Sequence, residues 1–179
     1  MKFSVNRTKQ ALGELQTTLH WAVTIVNPAG AVGGMDEDIQ IRCQSTGVPE
    51  ATEETNKVEL QGHIINYVGK TTKNGELPMT FVEGTDAKVV AYFTQWAAAR
   101  WSGDGSDTTG TQELTNNLKA DIRIELLGPD DNVTQLYTLI GCMPRFEKGA
   151  TLAQTADPMT PTITFEYDDF HFSGGGVVW

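Results

Sequence analysis

Between Val58 and Tyr67 the chain alternates strictly, with Val58, Leu60, Gly62 and Ile64 on one side and Glu59, Gln61 and His63 on the other, until the phase slips at Ile65 and Tyr67. A period of two belongs to a strand, and a slip within it signals a change of register or facing. Lys73-Asn74-Gly75 then supplies residues that tolerate the positive φ of a tight turn, and Leu77, Met79 and Phe81 alternate again beyond it. The pattern predicts a long protruding hairpin that turns at 73–75. Its strands exceed the usual length of about five or six residues, so a lone domain would leave both faces of the distal half uncovered. A neighbouring chain could cover them.

The rest of the sequence reads mostly as strand. Leu19 to Val26 and Ile39 to Cys43 are rich in β-branched and aromatic residues and are separated by Asn27-Pro28 and a glycine-rich stretch, which predicts two strands around a loop. Gly47 to Asn56, with Pro49, Glu50, Glu53 and Glu54, shows neither period and predicts an exposed loop. A helix is expected from Thr85 to Trp101, where Val89, Phe93, Trp96 and Arg100 follow spacings of three and four. Gly103 to Thr111 has the composition of a loop that cannot order itself by burial. Leu118 to Leu127 alternates again, Gly128 to Asn132 is a turn, and Val133 to Cys142 and Pro161 to Phe172 give further strands.

Residues 1–18 read as an N-terminal arm with a short helix over Thr8 to Gln16, 19–172 as one domain, and 173–179 as a glycine-rich tail ending in an apolar patch. The expected fold is mainly β: an antiparallel β-sandwich or partly open barrel with one packed α-helix.

Acidic residues outnumber basic ones by 23 to 13, a formal charge of −10. Duplex DNA carries about one negative charge per 1.7 Å of axis, so a chain this acidic, without a basic stripe, is not built to grip it. A like-charged wall could still surround DNA without holding it. No apolar run reaches membrane-spanning length and the N-terminal residues lack a signal-peptide pattern, so a cytosolic chain without membrane contact is expected. Cys43 and Cys142 sit in apolar stretches away from metal-ligand spacing and read as small buried hydrophobes.

No catalytic motif, metal set or cofactor fingerprint follows any predicted strand. His20, His63 and His171 are far apart, and Asp168-Asp169-Phe170-His171 comes nearest to a ligand cluster. Asp104, Asp107 and Glu113 miss the calcium-loop spacing. Trp96 and Trp101 share the predicted helix and read as core anchors, or else as the sugar platform of a lectin-like sandwich.

Several stations along the chain, taken in order, resemble the tail tube proteins of contractile phages, a family related in fold to the tubes of R-type pyocins and of type VI secretion. They are Ile41-Arg42-Cys43 through Gly47-Val48-Pro49; Lys73-Asn74-Gly75; Phe81 followed by the helix with Phe93, Gln95 and Trp96; Tyr137 through Pro144; and Ile163 through Phe170. The chain departs where Cys142-Met143 stand in place of a bulkier aromatic before Pro144, and where Ser173 to Trp179 extends past the usual end.

The resemblance implies a structural subunit without enzymatic activity or cofactor. It would form homo-hexameric rings stacked into a tube in the virion tail, assembled in the host cytoplasm. A sheath protein would lie outside, baseplate and tail-terminator proteins at the ends, and a tape measure protein in the lumen until DNA passes through. A type VI secretion tube, or a monomeric carbohydrate-binding sandwich, is the competing reading. Expected contacts between subunits or rings are Lys70, Thr71, Thr72, Lys73, Asn74 and Gly75 of the hairpin turn with Glu50, Glu53 and Glu54 of the acidic loop, and expected lumen-lining acids are Asp121, Glu125, Glu166 and Asp168.

Overall fold

The computed structural model describes residues 20–26, 37–73, 75–99, 101–102, 111–112, 118–145, 158–174 and 177–178. The arm at 1–18 with its helix, Asn74 and most of 103–117 therefore lie outside the described residues. In chain order the strands are β1 (Trp21–Val26), β2 (Cys43–Thr46), β3 (Thr52–Leu60), β4 (His63–Thr72), β5 (Gly75–Phe81), β6 (Trp101–Ser102), β7 (Thr111–Gln112), β8 (Ala120–Leu127), β9 (Val133–Arg145), β10 (Thr162–Tyr167), β11 (Asp169–Gly174) and β12 (Val177–Val178). Among the described residues two helices, α1 (Glu37–Ile41) and α2 (Lys88–Ala98), accompany them.

Eight strands form one curled half-barrel sheet in the order β1-β8-β9-β10-β5-β2, with β11 joined to β9 and β12 to β11, and every pairing is antiparallel. Its core side carries Ile122 and Ile124 of β8, Leu139 and Cys142 of β9, Ile163 and Phe165 of β10, and Met79 and Phe81 of β5, all at most 2% exposed. That alternation was legible in the sequence. Helix α2 lays Val89, Tyr92, Phe93 and Trp96 on this layer, with Phe93 edge-on to Phe165 at 5.7 Å and Trp96 6.1 Å from the same ring. Trp96 also donates its indole N–H to the Leu118 carbonyl at 2.8 Å, so its one polar atom is satisfied inside.

The predicted strand at Pro161 to Phe172 is two strands that hold one register along β9, with Glu166 opposite Met143 and Asp169 opposite Ile140. The run bends at Asp168, where Gly141 of β9 adopts φ 69° and a Cβ would collide with the Asp168 carboxylate. Only glycine meets both demands at once.

Three expectations fail. Ile39 to Cys43 is not a strand, because residues 37–41 are helical and a two-residue step in a helix turns about 200°: Ile39 is 3% exposed in the core and Ile41 is 74% exposed, whereas a strand would aim both the same way. The acidic loop at 47–56 and the turn at 73–75 are also misplaced. Residues from Thr52 onward form β3, which pairs with β4 from Thr52 opposite Thr72 to Leu60 opposite His63. The hairpin turns at Gln61-Gly62, whose φ values of 51° and 80° are the left-handed pair that a two-residue connection requires. The phase slip is that turn: two turn residues move the apolar set from Val58 and Leu60 to Ile65 and Tyr67 while keeping all four on one face.

The junction of α1, β2 and α2 is held by charge. Arg42 forks onto Asp86 at 2.8 and 2.7 Å and lies 3.6 Å from Glu83. The hydrogen bonds from Arg42 hold the Asp86 carboxyl at a pKa of about 2, below its ordinary 3.8. A depressed carboxyl contributes stability above its unfolded pKa and loses it as pH falls through the folded one. Asp86→Asn should therefore start from a lower melting temperature at neutral pH and show a shallower decline between about pH 4 and pH 2, measured by circular dichroism.

Candidate assembly surfaces

Strands β3 and β4 make a two-stranded sheet of their own, and none of their residues is fully buried. With nine and ten residues rising about 3.3 Å each, the ribbon reaches roughly 30 Å from the body. The register puts Val58 opposite Ile65 and Asn56 opposite Tyr67, so Val58, Leu60, Ile65 and Tyr67 share one face, between 41% and 55% exposed. An isolated two-stranded sheet is marginal in water, and a contiguous apolar face left in solvent marks an interaction surface.

The expected contact residues lie at the opposite end of the ribbon from its tip. Glu53 pairs with Thr71, and a bulge follows between Glu53 and Thr55, where Gly69 approaches the Glu54 backbone so closely that a Cβ would sit 2.5 Å from its carbonyl oxygen. The structure thus brings Glu53 and Glu54 beside Lys70, Thr71 and Thr72, two sets far apart in the sequence reading. Lys73 turns toward the body, its ammonium 5.6 Å from the Phe170 ring centre. Gly75 pairs with Tyr167, whose hydroxyl lies so near that a Cβ on Gly75 would sit 3.1 Å from it. These residues form the root of the ribbon. The tip, Leu60 to His63, was missed because Lys73-Asn74-Gly75 has the stronger turn composition; the slip in alternation was the signal that could have found it.

The four expected lumen acids share the face of the sheet turned away from the core. Asp121 and Glu125 alternate with buried Ile122 and Ile124 on β8, while Glu166 alternates with buried Phe165 and Tyr167 on β10. Asp168 follows at the bend and is exposed. Three of the four are engaged. Asp121 accepts the Gly141 N–H at 3.1 Å, Asp168 pairs with Lys119, and Glu166 shares Arg145 with Glu76 at 3.4 and 3.0 Å. Glu166, Asp168, Glu76 and Gly75 also border a shallow cleft of about 290 Å³. A second cleft, of about 370 Å³, opens between β1 and α1 and is lined by Trp21, Glu37, Ile41 and Cys43 among others.

Burial pushes both thiols up to about 12, so Cys43 and Cys142 stay protonated and act as small hydrophobes.

No protein-family model matches the chain, and no curated protein matches it in sequence. Solved structures do match in fold. A chain of the cryo-EM structure of an extracellular contractile injection system, the PVC sheath/tube terminator in extended state, superposes with a TM-score of 0.64 at 12% identity, over 91% of this chain and 99% of that one. A chain of the PVC sheath-tube complex in extended state gives 0.63 at 12% identity, over 97% and 99%. One from the anti-feeding prophage baseplate, 6-fold symmetrised, gives 0.62 at 15% identity, over 92% and 99%. The curled antiparallel sheet with its packed helix and standing ribbon is the tail-tube fold.

Proposed function

We propose that this chain is a non-catalytic structural subunit of a contractile tail tube, closing side by side into hexameric rings that stack around a channel. The observation that carries the reading is the ribbon, an apolar face held in water by a chain whose fold is that of contractile injection system tube structures. A fold that invests nineteen residues in an uncovered sheet gains from it only when a neighbour covers it.

In this reading the face bearing Asp121, Glu125, Glu166 and Asp168 lines the channel. DNA passes it during ejection without specific binding, since the acids repel phosphate and the screening length of about 8 Å keeps that repulsion local. The sheath lies outside, the baseplate and tail-terminator proteins cap the ends, and a tape measure protein fills the lumen beforehand. The ribbon root, from Glu50 to Glu54 and Lys70 to Gly75, faces the next subunit or ring. A carbohydrate-binding sandwich would need Trp96 as an open platform, and that ring is 1% exposed.

Negative-stain microscopy with sedimentation of the purified protein tests the proposal. Rings and stacked rings are expected; a single 19.5 kDa species at every concentration would refute it.

A further inference from the structure

We propose that helix α1 is a latched element that opens apart from the rest of the fold, closed by two ion pairs and loosened by ionic strength. The device lies within one chain and works whether or not that chain builds a tube. Five residues are too few for a helix to persist in water by itself, and the side chain that α1 buries in the core is Ile39. Charge supplies the rest of its attachment. Lys88 at the start of α2 reaches Asp38 at 3.0 Å, and Arg42, which follows α1 directly, forks onto Asp86 at 2.8 and 2.7 Å. The Arg42 backbone ties the same two sides: its N–H is shared between the Asp38 and Ile39 carbonyls at 3.3 and 3.2 Å, and its carbonyl accepts from Val82 at 2.8 Å. At Gly84 a Cβ would sit 2.7 Å from Asp86 Oδ1 and 3.0 Å from Arg42 Nη1, so the loop before α2 has room for the fork because residue 84 carries no side chain.

The two pairs differ in exposure, and so in how salt acts on them. Asp38 and Lys88 are 61% and 42% exposed, Asp86 and Arg42 37% and 24%. Exposed pairs are weak and screened, since the screening length falls from about 10 Å at 0.1 M salt to about 3 Å at 1 M. The outer pair gives way first, and the fork follows. Release stops at Glu83, whose side chain is 4% exposed and whose oxygens hold the Val89 and Val90 N–H groups out of reach of salt. Helix α2 keeps its aromatic stripe in the core, so α1 is the part of the junction that leaves.

Helix α1 also forms one wall of the cleft of about 370 Å³ against β1, through Glu37, Gln40 and Ile41, and Cys43 lines the same cleft. Departure of α1 takes that wall away, joins the seat of Ile39 to the cleft and bares the Cys43 thiol, which is half-buried in the closed form.

Two readouts on the full chain test the latch, compared at protein concentrations where sedimentation shows the same species at each salt. One is hydrogen exchange by mass spectrometry of residues 37–43 against 88–98; the other is maleimide labelling of Cys43 against Cys142, which is 0% exposed. Between about 0.1 M and about 1 M NaCl, exchange at 37–43 and labelling of Cys43 should rise about three- to tenfold while 88–98 and Cys142 stay unchanged. Arg42→Gln should raise both about tenfold at low salt and remove most of the salt response. Asp38→Asn and Lys88→Gln should each give a smaller rise, and their combination no more than either one, because the two act as a pair. A salt-insensitive 37–43 in the unmodified chain overturns the latch; so does an additive double variant, or opening of 37–43 only together with 88–98. The tube reading, tested by rings and stacks, stands or falls separately.

Discussion

Replacing Trp96 by alanine should lower the stability of the folded chain by about 3–5 kcal/mol in urea titration followed by tryptophan fluorescence or circular dichroism. The residue is 1% exposed, sits 6.4 Å from Phe93 and 6.1 Å from Phe165, and is the side chain through which α2 reaches both the sheet and Leu118. Truncation leaves a cavity whose walls are rings on two different elements, which cannot all collapse inward, and it strands the buried Leu118 carbonyl. Trp96→Phe should recover most of the packing but not the hydrogen bond, for a loss nearer about 1–2 kcal/mol. A near-neutral alanine variant would mean that α2 is not anchored where the structure puts it.

Glu83→Ala should be the next most damaging change, at about 2–3 kcal/mol by the same titration. Ala87 precedes α2 in a left-handed conformation and offers no side-chain acceptor, so the free N–H groups of the first turn must be satisfied from elsewhere. Glu83 does this from four residues upstream. Its Oε1 accepts from Gly84 at 3.0 Å and Val89 at 3.3 Å, and its Oε2 accepts from Val90 at 2.7 Å. A carboxylate there also complements the positive end of the helix, and Arg42 lies beside it. Glu83→Gln keeps one acceptor oxygen and should lose about half as much; an equal loss for both variants would show that charge and not hydrogen bonding carries the role.

Residues that pack on the core were readable from the sequence, and residues that pack on nothing were not. Ala120, Ile122 and Ile124 alternate because one side of β8 is dry, and Val89, Phe93 and Trp96 recur at helical spacing because α2 has one buried stripe. Strand β3 has no dry side: Thr52 through Lys57 owe their extended form to pairing with β4, which leaves no apolar period to detect. The same gap displaced the turn. Asn-Gly is a stronger local signal than Gln-Gly, yet pairing from Leu60 to Thr52 decides where the chain reverses. Ile39 and Ile41 misled for the converse reason, since only Ile39 is buried. The outward face with Asp121, Glu125 and Glu166 followed directly from the strand period, whereas the links of Asp168 to Lys119 and of Arg145 to Glu76 join residues that no local pattern connects.

In the tube reading proposed above, a ribbon without a core of its own has a bearing on when such a chain would polymerise. Straightening and immobilising it costs conformational entropy, and a lone molecule has little apolar burial there to offset the cost. In that reading the first encounter between two dispersed molecules would bear that entropic cost for a contact of modest area, while later arrivals would land on a rim where many ribbons are already set. Growth from a seed would then be favoured at concentrations where spontaneous nucleation is slow, so that subunits stay dispersed until a template is built.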